Sequence, residues 1–451
     1  MTAIVRRRKS NKLNIWMNGF LVGYWESTAQ IERLAYSEEW LTDEMSHPLS
    51  LSLPFLPGNE PHQGQIVKSY FDNLLPDSDS IRRRLAQRHH IGSTDAFQLL
   101  AELGRDCVGA IQLLPEDEVP SDIYEINGDP LSTEEIARRL RGTTSPQALG
   151  QQYHDEDLRL SIAGAQEKTA LLNHQGQWLL PVGSTPTTHI LKLPMGLVGH
   201  MQADMRTSVE NEWLCSKIMA AYGVPIAHCD IEHFEDQKAL VVKRFDRTIV
   251  SDGSWIIRLP QEDMCQATGT SPLNKYQSEG GPGINPIMKL LLGSTNAQQD
   301  RYNFFKTQII FWVLAATDGH GKNFSIAHLP GNRYHATPIY DVLSAHPIIG
   351  NGPNQLSPRR AKLAMALQGR NTHYEINSIH LRHWLGQAQS VGLGEAAARR
   401  LIAEVIEDTP PVIESVEHIL PHDFPMDIAN SIFSGMRKQA DKLAAQLYVQ
   451  Q

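Results

Sequence analysis

The hydrophobic pattern changes character once along this chain, and that change limits the fold more than any other feature. From about Leu158 to Arg247, short alternating apolar runs read as strands, with one clear helix over Glu212–Tyr222 that stops at Gly223. From about Gln261 onward the spacing is mostly helical, most clearly over Asp300–Ala316 and Glu395–Glu407. A strand-rich lobe therefore precedes a helix-rich lobe. A further unit precedes both. It opens on a hairpin signal, in which Leu13, Ile15 and Met17 alternate, Asn18-Gly19 turns, and Leu21 and Gly23 continue. Asp77–His89 and Ala96–Leu103 read as helices, and Val108–Leu114 as a strand. The acidic, proline-bearing stretch Pro115–Pro130 reads as an exposed connector. The expected divisions are residues 1–115, an N-terminal unit; 116–157, a linker; 158–247, the strand-rich lobe; and 248–451, the helical lobe. At ~100–200 residues per domain, 451 residues suit two or three packed units.

The composition is that of an ordinary globular protein, 41% apolar and 20% charged. The net charge of -9 excludes a whole-chain basic field for nucleic acid, so DNA contact needs a local patch or a partner. Cys107, Cys215, Cys229 and Cys265 form no C-x-x-C pair and fit reduced core thiols in a cytosolic protein. The basic run Arg6–Lys9 leads into Ser10-Asn11-Lys12, whereas a secretory signal needs ~7–15 apolar residues there. No run of ~18 apolar residues occurs. The expectation is a cytoplasmic protein without membrane contact.

The stretch Ala315-Ala316-Thr317-Asp318-Gly319-His320-Gly321-Lys322-Asn323-Phe324 follows an apolar helix and sets Asp318 five positions before Asn323. Protein kinases use that offset: the Asp accepts the proton of the substrate hydroxyl, and the Asn reaches a metal on the nucleotide phosphates. Asp-Gly and Gly-Lys-Asn are also common turn sequences. Asp341 ends a strand expected over Tyr334–Tyr340, eighteen residues after Asn323, where a kinase keeps its main Mg²⁺ ligand. Lys192 lies in the apolar strand Thr188–Leu193, ahead of a helix carrying Glu210 and Glu212. Kinases set such a Lys against the phosphates and orient it with a helix Glu. Glu212, in step with Cys215 and Met219, is favoured over Glu210. Small residues over Leu160–Thr169 let backbone N–H groups approach phosphates, although this is not G-x-G-x-x-G. The strand Ala239–Lys243, running into Arg244–Arg247, sits where a hinge should hold adenine. A Walker A motif is missing, since Asn323 and Ala316 occupy two of its required positions.

Several segments closely resemble the HipA family, the kinase toxins of bacterial HipBA toxin–antitoxin modules. They are Ser161-Ile-Ala-Gly-Ala-Gln-Glu-Lys168, Thr185-Pro-Thr-Thr-His-Ile-Leu-Lys-Leu-Pro194, Arg258-Leu-Pro-Gln-Glu-Asp-Met-Cys-Gln266 and Ala316-Thr-Asp-Gly-His-Gly-Lys-Asn-Phe-Ser325. Phe71-Asp-Asn-Leu-Leu-Pro-Asp-Ser78 and Glu102-Leu-Gly-Arg-Asp106 extend the likeness into the N-terminal unit. The resemblance implies an α+β, bilobal fold of phosphatidylinositol-3/4-kinase type. It implies Mg²⁺- and ATP-dependent phosphorylation of a glutamyl-tRNA synthetase, which halts translation and promotes persistence. It makes Asp318 the base and Asn323 and Asp341 the metal ligands. ATP contacts would fall at Ile162, Ala163, Gly164, Ala165, Gln166, Glu167, Lys192, Lys243, Phe245, His320, Asn323 and Asp341. Lys243 stands where relatives carry an acid, so its contact is expected through the backbone. Ser161 would be autophosphorylated. The implied partners are a HipB-type helix-turn-helix antitoxin dimer and, mainly through it, operator DNA, which would associate the complex with the nucleoid. Arg359, Arg360 and Lys362 form a basic cluster suited to phosphates beside such a dimer, or simply to solvent. Two other classes share this fold: a catalytically silent corepressor of the antitoxin and a small-molecule or lipid kinase. The complete set of Lys192, Asp318, Asn323 and Asp341 argues against a silent scaffold.

Overall fold

The structure, a computed structural model, describes residues 11–144, 166–199, 201–369 and 371–448. The expected α+β organisation holds, with a strand-rich lobe followed by a helical one and a separate N-terminal unit.

The N-terminal unit is built on a five-stranded antiparallel sheet, ordered His62–Gln63, Glu32–Tyr36, Phe20–Ser27, Lys12–Met17, Ile111–Pro115. Asn18 and Gly19 make its first turn with φ of 46° and 91°. Both central residues of the favoured two-residue hairpin turn need positive φ, which is why Asn-Gly occupies it. Helices Gln65–Asp72, Asp79–Arg88 and Ala96–Leu103 complete this unit. Trp25 anchors its core, stacked on Phe71 at 3.9 Å and met edge-on by Phe97 at 4.9 Å.

A second sheet has six strands, ordered Cys229–Phe234, Gln237–Lys243, His189–Lys192, Lys168–His174, Gln177–Pro181, Gly128–Pro130. Its last strand and the helix Thr133–Thr144 come from the stretch read as linker. That helix buries Ile136, Ala137 and Leu140 against Leu171, Leu191 and Val241. Ile136, Ala137 and Leu140 stand at helical spacing among Glu and Arg, a periodic signal that the linker reading passed over. Residues 116–127 carry neither helix nor strand.

The helical lobe surrounds Ala297–Val313, whose Phe304, Phe305, Ile309, Ile310, Trp312 and Val313 are all buried. Helices Leu381–Ser390, Glu395–Glu417 and Met426–Leu447 pack around it and on one another. The helix read as Glu395–Glu407 runs on to Glu417 through Pro410 and Pro411. Each proline removes a backbone hydrogen bond. Val405, Thr409, Val412, Ile413 and Val416 nevertheless continue one buried face across the interruption, and that packing outweighs the loss. A three-stranded sheet, Gln261–Asp263, Ser325–Leu329 and Arg333–Ala336, interrupts the helical half. The strand expected to reach Tyr340 stops at Ala336, because Pro338 supplies no ladder N–H.

Buried charge joins the N-terminal unit to the rest. Asp106 accepts hydrogen bonds from the Thr187 N–H at 3.0 Å, the Thr187 hydroxyl at 2.7 Å and the Arg247 guanidinium at 2.8 Å. Arg244 and Arg258 lie 3.4 and 3.5 Å from the same carboxylate. Asp246 pairs with Arg244 at 2.8 Å and Arg247 at 3.1 Å.

Candidate active site

A cleft of about 160 Å³ opens between the two lobes, with Asn73, Leu74 and Asp77 of the N-terminal unit at its edge. Lys192, Lys168, Asn323, Asp341, Phe245 and Asp318 are among the residues lining it. Lys192 ends the strand His189–Lys192, with Lys168 directly across one neighbouring strand and Leu240 across the other. This central position buries the side chain and aims its ammonium inward. The ammonium meets Glu212 at 2.5 Å and Asp341 at 2.8 Å. Burial works against that charge, but Asp341 and Glu212 outweigh it and hold the ammonium protonated well above its ordinary range. Asp341 is affected in the opposite sense: burial opposes its charge, and Lys192 and Lys168 hold it well below the usual carboxylate range. Glu210, the other acid on the helix Ser208–Ala221, turns instead to Lys238 at 2.5 Å.

Asp341 has φ of 63°, a left-handed conformation that Asp tolerates better than most side chains. Its backbone carbonyl accepts the Asn323 side-chain N–H at 3.2 Å. The amide orientation that makes this bond leaves Asn323 Oδ1 buried and without a partner. A buried, unsatisfied amide oxygen beside a carboxylate is a good donor pair for a hard divalent cation, with phosphate oxygens and water completing its shell. Among the described residues, no group of three or more His, Cys, Asp or Glu could hold a metal.

The glycines of the Asp318–Asn323 loop are required by space rather than by backbone conformation. A Cβ on Gly321 would fall 2.6 Å from Pro282 Cγ, and one on Gly319 would overlap the Phe311 ring. Asp318 stands at the mouth with its side chain 53% exposed. The Tyr276 hydroxyl donates to its carboxylate. Burial pushes the His320 imidazole below its ordinary value, against the pull of Asp318. It lies edge-on to Tyr276, with centroids 5.0 Å apart.

At the expected hinge, the Lys243 N–H donates to His228 and the Arg244 N–H to Thr188, both at 2.9 Å. Phe245 leans on Tyr340 with centroids 5.8 Å apart, giving the cleft an apolar wall. Ser161, Ile162, Ala163, Gly164 and Ala165 lie outside the described residues. The Gln166 side-chain amide donates to the Leu193 carbonyl at 2.5 Å, and Glu167 pairs with Arg84 of the N-terminal unit. Arg359, Arg360 and Lys362 are exposed and line no part of the cleft; Lys362 pairs with Glu375 at 3.3 Å.

Sequence reasoning missed four residues here. Lys168 shares the cleft with Lys192, and its place in the strand Lys168–His174 opposite the Lys192 strand was the available signal. Asp77, Lys275 and Tyr276 reach the site only through the fold.

Residues 160–413 match the HipA-like C-terminal domain, and residues 13–114 match the HipA N-terminal domain. The chain belongs to the HipA family. Among HipA relatives, the protein described as putative kinase Y4mE of Sinorhizobium fredii is 36% identical over 90% of this chain and 91% of its own length. The serine/threonine-protein kinase toxin HipA of Shewanella oneidensis is 25% identical over 92% of this chain and 94% of its own. The fold also matches HipA in a solved complex of Shewanella oneidensis HipA, HipB and operator DNA. That match has a TM-score of 0.77 at 21% identity and covers 97% of this chain and 98% of the other.

Proposed function

We propose that this chain is an ATP- and Mg²⁺-dependent kinase that phosphorylates serine or threonine hydroxyls of proteins. The observation that carries this reading is the Lys192 ammonium held between Glu212 and Asp341, with Asn323, its amide oxygen unpartnered, bonded to the Asp341 backbone in the same cleft. Lys192 and Lys168 would bind phosphate oxygens. Asn323 Oδ1 and the Asp341 carboxylate would hold the Mg²⁺, which when bound neutralises charge on the transferring phosphoryl group. Phe245 would pack on the adenine. Asp318, at the mouth, would take the proton of the incoming hydroxyl as its oxygen bonds to the γ-phosphorus and the bond to ADP breaks. The Tyr276 hydroxyl holds one oxygen of that carboxylate and leaves the other to take the proton.

Membership of the HipA family supports a toxin role, with a glutamyl-tRNA synthetase as target and autophosphorylation at Ser161. The HipB and DNA in the complex of the Shewanella oneidensis HipA support an antitoxin partner and DNA contact made mainly through it. The deciding experiment incubates purified protein with Mg²⁺ and γ-labelled ATP, with and without the synthetase, and maps the label. Label on serine or threonine is expected. Transfer to neither the synthetase nor the chain itself would overturn the reading.

A pH test follows from Lys168. Burial, aided by Lys192 and opposed by Asp341, lowers its ammonium to about 8. Bound phosphates favour the charged form and raise it again, so nucleotide binding above about pH 8 takes up a proton. Mg·ATP affinity should therefore fall by roughly ten-fold between about pH 7 and pH 9. Titration calorimetry of Lys168→Met should lose this dependence. An affinity independent of pH in the unmodified protein would place Lys168 away from the phosphates.

A further inference from the structure

The motif Phe71–Ser78 of the N-terminal unit carries an aspartate, Asp77, for which the phosphoryl-transfer scheme above has no role. Asp77 is largely buried, and its two carboxylate oxygens face two different lysines of the helical lobe. Oδ1 accepts from Lys322 and Oδ2 from Lys275, both at 2.9 Å. Lys322 lies inside the catalytic loop, immediately before Asn323. Its ammonium also donates to the Asn73 carbonyl at 2.9 Å, and its own carbonyl accepts from the Tyr340 hydroxyl at 2.8 Å. Lys275 immediately precedes Tyr276, whose hydroxyl donates to Asp318. The Lys275 carbonyl accepts the Gly321 N–H at 3.3 Å, joining the two segments directly. Asp77 itself is fixed from behind. Arg82 donates to the Pro76 carbonyl and to Asp72, each at 2.6 Å.

We infer that Asp77 is a positioning residue for phosphoryl transfer, bracing the catalytic loop through Lys322 and the Tyr276 segment through Lys275. The inference rests on the kinase reading and extends it: the N-terminal unit supplies part of the geometry of the active site. One carboxylate controls both flanks of Asp318. Through Lys322 it sets Asn323, and through Lys275 it sets the tyrosine that touches the base. Burial opposes the charge of Asp77, but Lys322 and Lys275 hold its carboxyl down at about 2, so the brace stays ionised across the physiological range.

The test compares the full chain with Asp77→Asn at a temperature well below the melting of either. Loop misplacement should lower kcat by ~10²-fold, since displacements of about 1 Å cost that much, and weaken Mg·ATP binding through the shifted Asn323 as well. Hydrogen exchange of residues 315–325 should accelerate at least roughly ten-fold, with the six-stranded sheet unchanged. A merely structural pin would lower melting and leave kcat of the folded protein intact, which would overturn the inference. So would unchanged exchange in the catalytic loop. Should both proteins lack turnover, the kinase reading falls, and the exchange arm still decides the brace. If Asp77→Asn does not fold, Lys275→Met removes one arm only. It should accelerate exchange at residues 274–277 and lower kcat, and a variant that does neither contradicts the brace.

Discussion

Asp318→Asn should lose ~10²–10⁴-fold in phosphoryl-transfer rate, the range expected when a general base is removed. It should still bind Mg·ATP. Asn keeps the shape of Asp and an oxygen to accept the Tyr276 hydroxyl, but it takes no proton. The side chain stands at the cleft mouth, so no buried charge is stranded and folding should be unaffected. Single-turnover kinetics alongside a nucleotide titration separate the two effects. A rate within two- or three-fold of the unmodified protein would remove Asp318 from the chemistry, whatever the fate of the other site residues.

The second large effect concerns stability. Asp106→Ala should cost about 3–5 kcal/mol, the range for breaking a buried ion pair by removing one partner. Three buried arginines, Arg244, Arg247 and Arg258, now face two buried carboxylates, Asp106 and Asp246. The substitution leaves three cations against one anion in a space that water does not reach. The damage should centre on the Arg244–Arg247 segment, which carries the expected hinge. Hydrogen exchange in that segment is the right measurement, because several lobes need not unfold together. Burial opposes the Asp106 charge, but Arg247, Arg244 and Arg258 hold its carboxyl below the usual carboxylate range. Its contribution is therefore complete above the ordinary carboxylate pKa and is lost as pH falls toward the depressed folded value. Exchange rates unchanged by the substitution would show that the arginines find other partners.

Much of this was legible because it is local. Asn-Gly fixes the first hairpin, and Asp318 and Asn323 share one loop. Lys192 ends its strand, whereas Asp341 lies five residues past the end of one, and the fold brings the two together with Glu212. What escaped depends on distance along the chain or on a weak pattern. Asp77 and Lys322 are 245 residues apart, and Tyr276 and Asp318 are 42 apart. Neither pair leaves a periodic trace. The helix Thr133–Thr144 is short and lies in a stretch read as linker, and the prolines in Glu395–Glu417 disguise that helix's second half. The glycines of the Asp318–Asn323 loop announced a tight fold, yet only the neighbouring Phe311 and Pro282 show that crowding is the reason.

The Asp77–Lys322 contact also sets a timetable. Synthesis runs at ~5–20 residues per second, so Asp77 leaves the ribosome about 12–50 s before the lysine it must meet. The sheet carrying Lys12–Met17 and Ile111–Pro115 can close long before that, since its strands lie within the first 115 residues. The supports for the loop, Asn73 and Asp77, thus stand ready before the loop itself exists. Ala297–Val313 must wait longer still, because Met426–Leu447 packs against it only after nearly the whole chain is made. Until Lys322 has emerged, a nascent chain cannot complete this contact or the loop around it.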